Sequence, residues 1–321
     1  MRKWKGLMRL LFFKLMMLCC STAVACDSVR LVSIGRNQSG YVDRPGTYCL
    51  GKDLHHTDVF DLETFSTKRY TGSYILKIKE ARDSGSPAGD YYRIDLSGHS
   101  VSAATVDMVG IRSSGRLRRA YVLNGRIIVP GRDVNNIGVF IPLSNKDVEG
   151  FHIGGTVLNY GPGLPEYEDT PFTGLQGQGK PRYTTTNHVI ENMDIRAGYR
   201  GIVIGGGNNV IRDSRIEVDG YTALYAYGPG TIIENNTIIV HGKGDKKQWD
   251  AAIKLRDADN AIVRNNRIQF DGSLFEKGDA AINLLDSDNV KVEGNMITGH
   301  RRAVRVNGVS TFVESDTKPS L

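Results

Sequence analysis

The 321-residue chain carries 41 Lys and Arg against 35 Asp and Glu, a formal charge of +6 and a pI near 9.0. Five of the basic residues and none of the acidic ones fall in the first 25 positions, which leaves 36 against 35 beyond them. A balance of +1 is no polycation, so composition gives no ground for nucleic-acid binding.

Arg2, Lys3, Lys5, Arg9 and Lys14 precede or punctuate the apolar run Leu15 to Val24, which ends Ala23-Val24-Ala25. That order predicts a secretory signal peptide over residues 1–25, and about ten apolar residues are too few to span a bilayer. The expected location is therefore periplasmic or extracellular, with no transmembrane span. Cys19 and Cys20 leave with the signal peptide, while Cys26 and Cys49 remain as an even pair suited to a disulfide in an exported protein. A competing reading makes Cys26 a lipid anchor, because AVAC distantly resembles a bacterial lipobox. Alanine at the third position before the cysteine ranks that reading second.

Downstream, short alternating apolar runs appear in YRIDLSGHSV, YVLNGRIIVPGRDVNNIGVFI and FHIGGTVLNYG. The stretch GPGLPEYEDTPFTGLQGQGKPRYTTT (161–186) follows, a Gly- and Pro-rich excursion long enough to suggest function. A regular series then begins. NHVIENMDIRAG, NNVIRDSRIEVDG, GTIIENNTIIVHG, NAIVRNNRIQFDG and NVKVEGNMITG align as five rungs. Their matching apolar residues are Ile190, Ile211, Ile233, Val263 and Val292. Five residues later come Ile195, Ile216, Ile238, Ile268 and Ile297. A third column is Ile202, Leu224, Ile253, Ile282 and Val304, and a fourth is Ile204, Ala226, Leu255, Leu284 and Val306. The runs are short and β-branched, and Gly, Asn and Asp break them, which is strand chemistry with turns between. Self-similarity at this period marks a solenoid whose repeats bury apolar surface only against their neighbours. Asn235, Asn236, Asn265, Asn266 and Asn295 share one corner, where Asn tolerates left-handed backbone and stacked amides can bond between rungs.

These rungs resemble the right-handed parallel β-helix proteins of the pectin-lyase-like superfamily. The resemblance implies an all-β, single-stranded parallel solenoid. It makes residues 26–92, with GTYCLGKDL, an entry and cap segment, 93–307 the coils, and 308–321 a short tail. A leucine-rich horseshoe is rejected, because the LxxLxLxxN pattern is missing and no coil has room for a helix.

Outward positions between the inward pairs carry whatever chemistry there is. One column reads Val203, Tyr225, Lys254, Asn283 and Arg305, the next Gly205, Tyr227, Arg256, Leu285 and Asn307. Just before the strand stand Tyr199, Tyr221, Asp250, Asp279 and Arg301, and loops 241–249 and 271–278 are expected to wall one edge. Arg reads carboxylates bidentately and Lys acts as a point charge, so the face suits an acidic polysaccharide. The candidate catalytic residues are Lys254, Arg256 and Asp250, with Tyr225, Tyr227, Asn283, Arg305 and Asp279 for substrate. In a uronate-cleaving enzyme Lys254 or Arg256 would take the C5 proton while a second cation holds the carboxylate. No cofactor is required; Ca²⁺ on Asp250 and Asp279 is the one metal option, and a hydrolytic carboxylate pair is the other use of those two. The plainer reading is that outward solenoid faces carry charge because they meet water, which fits a non-catalytic glycan-binding or cell-envelope structural or adhesion protein. His55 and His56 invite comparison with the DPHH motif of the mannuronan epimerases, but Leu54 departs from it. The polygalacturonase and pectate-lyase signatures are missing.

Overall fold

The computed structural model describes residues 26–34, 37–57, 73–79, 91–104, 108–113, 117–131, 136–143, 148–149, 182–244, 250–272 and 278–320. The expected signal peptide and residues 161–181 of the long excursion lie outside them, as do 245–249 and 273–277 of the two expected loop walls.

The described residues form a parallel β-helix whose wall has three faces. Two of them belong to one 17-stranded sheet and the third is a ten-stranded sheet. The two faces of the larger sheet merge at two long strands. Ala120–Val129 pairs with both Tyr92–Asp95 and Ser100–Ala103, and Val189–Ala197 with both Val210–Arg212 and Arg215–Val218. Every apolar column predicted from the repeat is a register column. Ile190 pairs with Ile211, Ile211 with Ile233, Ile233 with Val263 and Val263 with Val292. Ile202, Leu224, Ile253, Ile282 and Val304 stack in the same way on the ten-stranded sheet. These side chains are almost fully buried in one continuous core, except in the last coil, where Val304 is only partly buried and Val306, expected to face inward, is 41 % exposed.

The corner between the two faces of the larger sheet turns on one left-handed residue per coil: Asn192, Asp213, Asn235, Asn265, Gly294 and Asp316. Asn, Asp and Gly adopt that backbone most cheaply, which explains the punctuation of the repeat. Just after it an amide ladder climbs the interior. The backbone N–H of Ser214 donates to Asn236 Oδ1 at 3.0 Å, that of Asn236 to Asn266 Oδ1 at 2.9 Å, and that of Asn266 to Asn295 Oδ1 at 3.0 Å. Each amide nitrogen also donates to a carbonyl of the preceding coil, as Asn266 Nδ2 does to Ile233 O at 2.9 Å. Buried polar groups are thereby satisfied without water.

Two segment boundaries differ from expectation. Pairing already begins in the expected cap: Gly46–Cys49 lies parallel to Tyr92–Asp95, Leu54–His56 to Ser100–Ala103, and Ser73–Ile78 to Met108–Ser113. At the other end Phe312–Ser315 and Lys318–Ser320 continue the coil against Val290–Glu293 and Met296–Thr298, where a tail was expected. These outer rungs escape the sequence comparison because stacking needs only apolar inward residues, not identity. Cys26 and Cys49 are disulfide-bonded at adjacent parallel strands, so the Cys26 sulfur is not left for a lipid.

Candidate functional site

The outer face of the ten-stranded sheet is ordered by the same register. Tyr41, Lys77, Arg112, Phe140, Val203, Tyr225, Lys254, Asn283 and Arg305 form one outward column, with neighbours about 4.8 Å apart in each strand pair. The sequence had placed the last five of these together, and the strand pairing does so.

It does not leave them in water. Lys254 is 2 % exposed, Arg256 1 %, Asp250 4 %, Asn283 1 %, Tyr225 1 % and Tyr227 0 %. The expected open groove is instead a buried polar layer outside the core. The physical reason is a second apolar cluster on this face: Val109, Ile137, Phe140, Leu143, Val203, Tyr225 and Tyr227, with Tyr74 and Tyr183 packed against it. Leu143, after the strand Ile137–Ile141, and Tyr183, at the described end of the long excursion, are both rooted here. Leu143 N–H donates to the Tyr227 hydroxyl at 2.8 Å, and Tyr183 donates to Asp257 Oδ2 at 2.7 Å. Burial and the Asp257 carboxylate hold the Tyr183 phenol well above its ordinary range, so it stays a donor.

The charges are sorted into local sets. Asp250 Oδ1 lies 3.3 Å from Arg200 Nη2 and 3.9 Å from Lys254 Nζ, and it accepts from Thr222 Oγ1 at 3.1 Å. Arg256 Nε stands 3.8 Å from Asp257 Oδ2. Asp279 pairs with Arg305 and, at 3.4 Å, with Arg302. Asn307 donates to Asn283. Burial lowers the pKa of Arg305, and the nearby Asp250 opposes that shift. Asp250 and Asp279 thus serve two different cation sets. Among the described residues no three His, Cys, Asp or Glu side chains gather to hold a metal.

Arg200, Asp257, Tyr183 and Thr222 belong to the site and were not found from sequence. Arg200 was missed because the strand breaks strict alternation. Gly201, Ala223, Ala252, Ala281 and Ala303 form an inward small-residue column next to the inward Ile/Leu column. Two successive inward residues shift the phase, and Arg200 then faces out. The small size there is required: a Cβ on Gly201 would meet Ile216 Cγ2 at 2.3 Å. A run of Gly or Ala before each Ile/Leu was the available signal.

Residues 170–317 match the family model described as "Right handed beta helix region". Together with the parallel stacking, this identifies the fold as a right-handed parallel β-helix. A solved structure from Parabacteroides merdae ATCC 43184, described as a candidate glycosyl hydrolase, is similar over 70 % of this chain and 82 % of that one. The identity is 11 % and the TM-score 0.31, too low a likeness to inform the chemistry here. No curated protein matches the sequence. No helix among the described residues is long and apolar enough to cross a membrane.

Proposed function

We propose that the protein is exported and engages an acidic polysaccharide on the outer face of the ten-stranded sheet. The observation that supports this is the gathering of cations there among the described residues. Arg200, Lys254, Arg256 and Arg305 face three carboxylates, those of Asp250, Asp257 and Asp279. Cations in a poorly hydrated site favour an anionic guest more than cations in water would. Guanidinium groups match uronate carboxylates, and Tyr225 and Tyr227, with centroids 5.5 Å apart, would present rings to sugar faces once the groups that bury them move aside.

As a catalyst the face would run β-elimination. Lys254 as the base takes the C5 proton, the freed electron pair forms the C4–C5 double bond, and the C4–O bond breaks. The departing oxygen takes up a proton from the Lys254 ammonium formed in the first step. Arg256 and Arg305 hold the carboxylate, and Asp250 positions Lys254. A second reading, binding without cleavage, is favoured by the burial of Lys254 and Arg256, since a polymer reaches them only if the covering groups move.

The deciding experiment incubates the protein, less residues 1–25, with pectate, alginate and other uronate polymers, with and without Ca²⁺. Ultraviolet absorbance of unsaturated uronates reports lyase activity, and affinity electrophoresis reports retention. Product formation that Lys254→Ala abolishes establishes the lyase. Retention without product, weakened by Arg256→Ala, establishes the binding reading. No retention of any acidic polymer ends both.

A further inference from the structure

The outward column that carries Lys254 and Arg305 has a second cationic end. On the N-terminal rungs Lys77 stands in register with Arg112, so two like charges are neighbours about one strand spacing apart. Aromatic rings flank them. The Lys77 ammonium lies 4.9 Å from the Tyr74 ring centroid, and the Arg112 guanidinium 5.6 Å from that of Phe140. Tyr41 packs edge-on to Tyr74 with centroids 5.8 Å apart, and their hydroxyls share a 2.6 Å hydrogen bond. Exposed Lys79 adds a third cation two residues along the chain.

This end differs from the Lys254 end in two respects. Tyr41, Tyr74 and Lys77 are half-buried, so their rings and charge reach solvent, whereas the Lys254 set is sealed. Lys254 and Arg256 also have aspartates beside them, whereas Lys77 makes no ion pair with a carboxylate among the described residues. Its surroundings are cationic: burial first, then Arg112 and Lys79, lower its pKa from the ordinary lysine value. Phe140 and Val203 fill the column between the two ends.

We propose that Tyr41, Tyr74 and Lys77 form a separate subsite, open to solvent, for one acidic sugar unit, whose carboxylate lies on Lys77 with the buried Arg112 adding positive potential behind it, and whose ring stacks on the tyrosine pair. The proposal rests on the acidic-polysaccharide reading and assigns it a first docking point. An anion beside two like charges relieves their repulsion, and the rings supply the contact that a bare anion would not use. A chain held here and at Lys254 would lie along the helix axis, because both sets share one column. Four intervals separate Arg112 from Lys254, on the order of 20 Å at the strand spacing.

The test measures binding of acidic and neutral oligosaccharides of equal length to the wild type, Lys77→Gln, Tyr74→Ala and Lys254→Gln. Thermal melting is recorded for each variant as a folding control. In parallel, reductively ¹³C-methylated protein is titrated with the acidic oligosaccharide, and the Lys77 methyl signal is identified by its loss in Lys77→Arg. The expected result is acidic-selective binding, weakened roughly tenfold or more in Lys77→Gln, and a Lys77 signal that moves on titration. A wild-type affinity that Lys77→Gln and Tyr74→Ala leave unchanged, with a static Lys77 signal, overturns the subsite while leaving the Lys254 reading intact. Loss in the Lys77 variant with none in Lys254→Gln keeps the subsite and removes the other site. Equal binding of the neutral series overturns the assignment to an acidic sugar.

Discussion

At the scale of single residues, the asparagine ladder and the Asp250 set carry the sharpest energetic consequences. Asn266 accepts from the Asn236 backbone N–H and from its side-chain amide, the latter at 3.0 Å. Both donors are buried, and removing their acceptor strands them at about 1–3 kcal/mol. Asn266→Ala is therefore expected to lower stability by that order, measured as a shift in urea midpoint. Asp250 is a different case. Its carboxylate sits against Arg200, and both side chains are 2 % exposed. Asp250→Ala leaves a sealed guanidinium without that partner, and breaking buried pairs costs about 3–5 kcal/mol. Chemical denaturation should show a larger loss for Asp250→Ala than for Asn266→Ala. A smaller one would mean that Arg200 is solvated.

At the scale of elements, strand pairing sets which interactions matter. Exposed charges on the outer strands of the larger sheet alternate down one column, with Glu191 against Arg212 at 2.9 Å and Glu234 against Arg264 at 2.7 Å. Each such pair is worth at most about 1 kcal/mol in water, so the ladder favours register more than stability. The Cys26–Cys49 bond ties the first strand, Asp27–Ser28, to its parallel neighbour Gly46–Cys49. Closing a loop of this size removes chain entropy from the unfolded state worth about 3 kcal/mol. The double variant Cys26→Ser, Cys49→Ser should unfold at correspondingly lower denaturant. An unchanged midpoint would show that the first rung is held by packing alone. At the far end, exposed Arg301 and Arg302 line the Arg302-bearing strand His300–Asn307 and discourage pairing by another chain.

For the whole molecule, a solenoid transmits stability only between neighbouring coils, so a charge introduced in the wall weakens the stack locally. Two buried histidines make this pH-dependent. Burial lowers the pKa of His188 to about 3 and that of His300 to about 4. His188 Nδ1 accepts the Ala120 backbone N–H at 3.0 Å, which the neutral ring alone can do. In the unfolded chain both titrate near 6.5. The unfolded state therefore binds more protons below that value, and stability falls as pH drops. The full contribution is present above about pH 6.5 and is lost progressively down to the folded pKa values, on the order of a few kcal/mol. Denaturation midpoints followed from pH 7 to pH 4 should decline, and the slope should flatten in His188→Asn. A slope equal to the wild type's would place the acid sensitivity elsewhere.

Inward residues were legible because a parallel stack demands the same apolar residue at the same place in each coil. Ile253 with Ile282 and Leu255 with Leu284 declare the register, and left-handed Asn260 and Asn289 declare a turn. Lys254 and Asn283 were correctly placed side by side for the same reason. Burial on this face was not legible, because Tyr183, which reaches Asp257 beside Arg256, comes from a distant chain position and obeys no period with Lys254. Arg200 was hidden by the two-residue inward step at Gly201 and Ile202. The local pattern thus determined the solenoid, its columns and the direction most repeat side chains face. Only the tertiary structure decided which outward faces meet water, because one stretch of chain covering another is a non-local contact that no repeat encodes.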